Sequence, residues 1–308
     1  MMRVLMLYND YLEAGGERVS VATEAAALSR AGVDVELFRA TNDRLASSGV
    51  IGKAIASFPN SAIRDEIGDV LDRFRPDVVH AQNLFPQLGA AAIDAIAERD
   101  IPWVRTLRNF RLSCIAATFV RDGAPCTSCL GHLGRIPGVM HACYRESRVA
   151  SVGATNYALW ERAAERRYPP SAYIAISRAV REKLRHEFGP EERVHVAHNA
   201  VLEFVGERPA RISDRPIDVL FAGRFAVEKG IRIVVQMAQE MADHRFVLAG
   251  TGPETAAVEA ALSGLSNVRL AGALGSGTTL GLMATSKVVV VPSTWDEPFG
   301  RVAAEALA

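Results

Sequence analysis

The chain has 308 residues, 49% of them hydrophobic and 23% charged, with 35 basic and 35 acidic side chains. Length favours two domains, composition favours a soluble globular protein with ample cores, and the balanced charge excludes a global basic field for nucleic acid. No apolar run approaches the ~18 residues of a membrane span, and the stretch after Arg3 is too short for a signal peptide, so a cytoplasmic location is expected.

Val4–Tyr8 predicts a strand, residues 9–16 a loop ending in Gly15-Gly16, and Glu17–Arg30 a helix. Gly32 stops that helix and Val33–Phe38 is the next strand, giving a βαβ unit of about thirty residues. Strands follow at Arg75–His80 and Ile101–Thr106, separated by an alanine-rich helix that runs to Arg99. Residues 109–150 interrupt this rhythm with a cysteine-containing insertion. Helix Ser151–Arg167, strand Tyr173–Ser177, helix Arg178–His186 and strand Val194–His198 then restore it.

Residues 203–216 are polar, carry two prolines and read as a linker. The alternation restarts with strand Ile217–Ala222, helix Ile231–Met241, strand Arg245–Ala249, helix Glu254–Leu262 and strand Asn267–Leu270. A helix around Leu280–Ala284 precedes the apolar run Val288–Val291, which reads as a buried parallel strand. The expected organisation is a first domain at 1–202, a linker at 203–216 and a second domain at 217–308. Both are α/β with parallel sheets.

In open sheets of this kind, ligands sit beyond the carboxyl ends of the strands. Glycines there let a ligand approach the backbone, and Gly15, Gly16, Gly223 and Gly250 all fall at such ends. Arg224 and Lys229 follow a strand and open a helix, so two cations and free N–H groups can neutralise a diphosphate; an ordinary basic turn with Glu228 as ion-pair partner is the plainer alternative. Trp295–Glu305 follows the last strand and places Glu297 on a loop and Glu305 in an early helical turn, where carboxylates suit hydroxyls. The helix beginning near Arg301 reaches Ala308 after about two turns without a stop signal, so a fragment of a longer chain is expected.

Together, Gly15-Gly16-Glu17, the segment Gly223–Gly230, Gly250-Thr-Gly-Pro253 and the pair Glu297-(seven residues)-Glu305 resemble glycosyltransferase family 4. The resemblance runs from about Arg3 to Ala308 and is nearest to polysaccharide-biosynthesis enzymes with a segment like Thr106–Cys114. It implies the GT-B architecture, two Rossmann-like domains facing across a cleft, with the second incomplete here. It also implies transfer of a sugar from a UDP- or GDP-sugar to a glycan or polyprenyl-linked saccharide, with retained configuration and no catalytic cofactor or metal. By motif, Arg224 and Lys229 hold the diphosphate, Glu297 contacts the donor sugar and Glu305 the ribose. The backbone of Phe299, Gly300 and Arg301 supports the donor, and Gly16 faces the phosphates. His80, Asn83, Arg108 and Asn109 fall on the acceptor side, with Arg108 where relatives commonly carry histidine. Arginine cannot act as a base there. Rival readings are a nucleotide-sugar epimerase or phosphorylase, or a fragment that binds without turnover.

The cysteines are spaced Cys114-(eleven)-Cys126-(two)-Cys129-(thirteen)-Cys143. This fits a closed structural zinc site that pins the insertion; thiols without a ligand fit equally simply. Arg162, Arg166, Arg167, Arg178, Arg181, Lys183 and Arg185, with Trp160 and Tyr168, form a basic stretch. It reads either as a solvated helix face or as peripheral contact with anionic lipid.

Overall fold

The computed structural model describes residues 1–10, 16–41, 60–131, 135–188, 193–202, 204–207 and 211–308. Two compact units emerge: Met1–Phe119 with Cys126–Ala200, and Val120–Pro125 with Val201–Ala308. The first is built on strands β1 (Arg3–Asn9), β2 (Asp34–Ala40), β3 (Val78–Ala81) and β4 (Trp103–Leu107). A short hairpin, β5 (Val120–Arg121) and β6 (Ala124–Pro125), forms a separate sheet. Strands β7 (Ala172–Ala175) and β8 (Val194–Val196) complete the first, all-parallel sheet in the order β2-β1-β3-β4-β7-β8.

Helices α1 (Gly16–Arg30), α2 (Ser61–Phe74), α3 (Gly89–Ala97), α4 (Ile136–Met140), α5 (Arg148–Arg167) and α6 (Arg178–Leu184) accompany these strands. Sequence reading assigned no element to α2, although its signals are present. Asn60 accepts a hydrogen bond from the Ala62 N–H as an N-cap. Ile63, Ile67, Leu71 and Phe74 recur at helical spacing and pack into one core with Leu5, Leu7, Val79, Ile93 and Trp103. Each fully buried aliphatic chain there contributes about 1.5–3 kcal/mol. The helix predicted from Ser151 begins three residues earlier, because Ser147 accepts from the Ala150 N–H and caps it.

The second unit alternates β9 (Ile217–Ala222), α7 (Ile231–Glu240), β10 (Phe246–Ala249), α8 (Thr255–Leu262), β11 (Val268–Gly272), α9 (Ser276–Ala284), β12 (Ser286–Val290) and α10 (Arg301–Leu307). Its sheet is parallel, in the order β11-β10-β9-β12. Strand β9 lies inside and is almost wholly buried. The apolar run at Val288 does not behave as expected. Strand β12 is at an edge of the four-stranded sheet, pairs with β9, and leaves Val288 52% exposed.

Both sheets contain a switch point, where successive connections leave a strand in opposite directions. In the first unit it lies between β1 and β3; in the second, between β9 and β12. Ligands in open α/β sheets favour the crevice at the carboxyl side of such points.

Candidate active site

In the second unit, glycine is required where the loops after β9 and β10 meet. A Cβ on Gly250 would stand 1.8 Å from the carbonyl oxygen of Gly223, and one on Gly252 would stand 2.5 Å from that of Phe225. Both Gly223 and Gly250 have positive φ, at 154° and 147°. The loops are tied by Gly223 N–H donating to Ala249 at 2.9 Å and Phe225 N–H donating to Thr251 at 3.0 Å. Neighbouring strand ends are thus held backbone to backbone, leaving Arg224 52% exposed on the outside.

The switch point carries the chemistry. A turn at Val227–Lys229 ends in Gly230, whose φ of 71° starts α7. A Cβ there would lie 2.0 Å from the Pro292 carbonyl oxygen, so the turn sits directly against the chain leaving β12. Thr294 N–H donates to Glu228 at 3.0 Å and fastens the same contact. Across this joint, Lys229 Nζ donates to Glu297 Oε1 at 2.6 Å, and Ser293 Oγ donates to the same oxygen at 2.5 Å. Burial pushes the Glu297 carboxyl upward, but the Lys229 charge and the hydrogen bonds from Lys229 and Ser293 outweigh it and hold the pKa below the usual range. Trp295 covers the ammonium, with its ring 5.2 Å from Lys229 Nζ.

The other motif cations are paired too. Arg224 meets Glu228 at 3.2 Å, the partner considered in the plainer reading of this turn. Arg301 pairs with Glu305 along one face of α10. Gly300, at φ 74°, begins that helix next to Glu297. The structure therefore gathers Arg224, Lys229, Glu297, Gly300, Arg301 and Glu305 on one side of the second sheet. It also adds Ser293, which sequence reasoning missed although it lies three residues after the last strand.

At the first unit's switch point the expected acceptor-side residues are close together but inward-facing. His80 is buried, with its Nε2 2.7 Å from Thr106 Oγ1. Burial lowers its pKa; Glu24 opposes this and Arg108 adds to it, so the ring is neutral at neutral pH. Arg108 Nε donates to Gln82 Oε1 at 2.8 Å and its Nη1 to Asn199 Oδ1 at 2.6 Å, while Nη2 pairs with Glu24. Asn83 donates to the Asn9 carbonyl at 3.1 Å and accepts from Phe85 N–H, which makes it a turn-former. Asn109 likewise accepts from the Arg111 N–H. Gln82, Thr106, Arg108, Asn109 and Arg111 line one small pocket. Gly16 opens α1, and Gly15 lies outside the described residues.

The cysteines approach one another around Gly138. Its carbonyl accepts from Cys143 N–H at 2.9 Å, and a Cβ on it would meet Cys129 Sγ at 3.4 Å. Among the described residues, however, no group of three His, Cys, Asp or Glu side chains is drawn together tightly enough to hold a metal ion. None of the four cysteines is joined in a disulfide.

Comparison with known proteins follows this division. The model for Glycosyltransferase Family 4 matches residues 14–201, and that for Glycosyl transferases group 1 matches residues 216–308. An uncharacterized 42.6 kDa protein in the cps region of Klebsiella pneumoniae is 23% identical over 80% of this chain and 59% of its own length. Alpha-D-kanosaminyltransferase of Streptomyces kanamyceticus is 31% identical over 41% of this chain and 38% of its own. The chain therefore spans less than two thirds of these relatives. The structure of Anabaena HepE in complex with UDP-glucose shares the fold over 100% of this chain and 78% of its own, with TM-score 0.62 and 17% identity. The fold class is GT-B.

Proposed function

Because the chain belongs to glycosyltransferase family 4, we propose that it transfers a sugar from a nucleotide-diphospho-sugar to a glycan or lipid-linked saccharide. The proposal includes retention of anomeric configuration and catalysis without a metal. The observation that carries it is the Lys229–Glu297 pair at 2.6 Å, held at the switch point of the second sheet where a nucleotide-sugar is expected to lie.

The chemistry assigns each group a task. The bond between the anomeric carbon and the diphosphate oxygen breaks, and its electron pair stays with the diphosphate. The acceptor hydroxyl oxygen bonds to that carbon on the same face, and its proton leaves to the diphosphate oxygen. Lys229 and Arg224 stabilise the charge that grows on the leaving group. Glu297, kept ionised by Lys229 and Ser293, accepts hydrogen bonds from donor-sugar hydroxyls, and Glu305 does so from the ribose. Each of these cations already has a carboxylate partner. The donor phosphates replace or extend these pairs instead of meeting bare charges.

Calorimetric titration with UDP, GDP and ADP, on the parent chain and on Lys229→Ala, tests the reading. Saturable binding of one nucleotide, weakened at least tenfold by the substitution, supports it and names the donor's base. Absence of binding by all three overturns it for this chain. Release of an isomerised donor without acceptor would replace the transferase by an epimerase. Tight binding without turnover of any donor would leave a binding protein.

A further inference from the structure

Helix α5 is built inside out. Its two acidic residues beyond the first turn, Glu161 and Glu165, are buried and both pair with Arg105 of β4, at 3.2 Å for Glu161. Tyr157 OH donates to Glu161 at 3.0 Å from the same inner face. The opposite side holds Val149, Val152, Leu159 and Trp160, which are 59%, 53%, 46% and 42% exposed. At 100° per residue these four project within about a third of the helix circumference. Arg148 stands at the start of that face and Arg166 near its end, both exposed; Arg167 beside it pairs with Asp94 of α3 at 2.8 Å. No Asp or Glu of α5 lies on it. Helix α4, which contacts α5, also leaves Ile136 and Met140 60% and 64% exposed.

Monomeric proteins seldom leave such an apolar stripe to water. A protein partner would be expected to meet it with charges of both signs at its ends, whereas Arg148 and Arg166 are both positive. We propose that the outer face of α5 is a docking surface for an anionic lipid bilayer, with Val149, Val152, Leu159 and Trp160 in the headgroup–acyl boundary and Arg148 and Arg166 at the phosphates. This narrows the basic stretch noted in the sequence. Arg162 is turned to Glu187, and Lys183 lies over the rings of Phe110 and Phe119, so neither belongs to the surface. The inference does not depend on the transferase reading, since all its residues lie in the first unit.

Flotation with vesicles of phosphatidylcholine, with and without phosphatidylglycerol, tests it on the parent and on Val152→Ser/Leu159→Ser/Trp160→Ser and Arg148→Gln/Arg166→Gln variants. The parent is expected to float with the anionic vesicles and remain behind with the neutral ones. The serine variant should lose at least tenfold in bound fraction. The arginine variant should weaken binding and flatten its salt dependence. Unchanged melting and nucleotide titration in both variants exclude misfolding and keep this result separate from the donor site. Failure of the parent to float, equal flotation of the serine variant, or a parent dimer that the serine variant dissociates would overturn the proposal. The last outcome would assign the face to a second copy of the chain.

Discussion

At the switch point of the first sheet, the Arg108 side chain is 3% exposed and its fork is taken up by Gln82, Asn199 and Glu24. At the switch point of the second sheet, Lys229 and Glu297 keep 28% and 18% of their side-chain surface in water. The two sites share a topology and an arginine or lysine at a strand end. What separates them is whether the charge has any bonding capacity left facing outward. A buried, fully partnered guanidinium holds its neighbours in place, whereas a half-open ion pair can change partners when a phosphate arrives.

Lys229→Ala should show the largest effect. If the pair acts on the leaving diphosphate, turnover falls by roughly 10²–10³ while the melting temperature hardly moves, as steady-state kinetics beside thermal melting would show. An equal loss of stability would mean that this pair, too, is structural. Arg108→Ala should behave the other way round. It takes the guanidinium away from Gln82, Asn199 and Glu24 and should cost about 3 kcal/mol of stability, the low end because Glu24 keeps the Gln82 amide at 3.3 Å and water contact. Denaturant unfolding measures this, and nucleotide binding should survive wherever the variant is folded.

Gly250→Ala examines the frame under the second site. The added Cβ meets the Gly223 carbonyl oxygen, so the two loops must part, at about 1–3 kcal/mol, and nucleotide affinity should fall with stability. The smallest effect is one of pH. Lys287 at 2.7 Å, with the Arg245 backbone N–H, lowers the Asp218 carboxyl to about 2. A depressed acid pKa stabilises the fold above its ordinary value near 3.8, and this contribution is lost as pH falls toward 2. Lys287→Met should flatten the acid limb of the unfolding curve over that interval; an unchanged limb would place the acid sensitivity elsewhere.

What the sequence revealed follows how local each signal is. The boundaries of β9 were legible to the residue, because an apolar run broken only by Asp218 lies between a proline and a glycine. The edge position of β12 was not, since a strand's neighbours are decided by the other strands. Glu297 and Lys229 were both identifiable by motif, yet their contact spans 68 residues. No spacing rule connects a turn after one strand to a loop after another. Arg108 was assigned to the acceptor side by resemblance alone. Its partners, Glu24 on α1 and Asn199 after β8, come together only when the sheet is assembled.

The inverted helix α5 also bears on specificity of assembly. By hydrophobicity alone its valines and tryptophan belong inside, so a rotation about the helix axis would gain apolar burial. Arg105 forbids it: that rotation would strand a buried guanidinium and carry Glu161 and Glu165 away from it, at several kcal/mol per uncompensated charge. One arginine on the neighbouring strand thereby sets the rotational setting of a twenty-residue helix, choosing which of its two faces the outside world encounters.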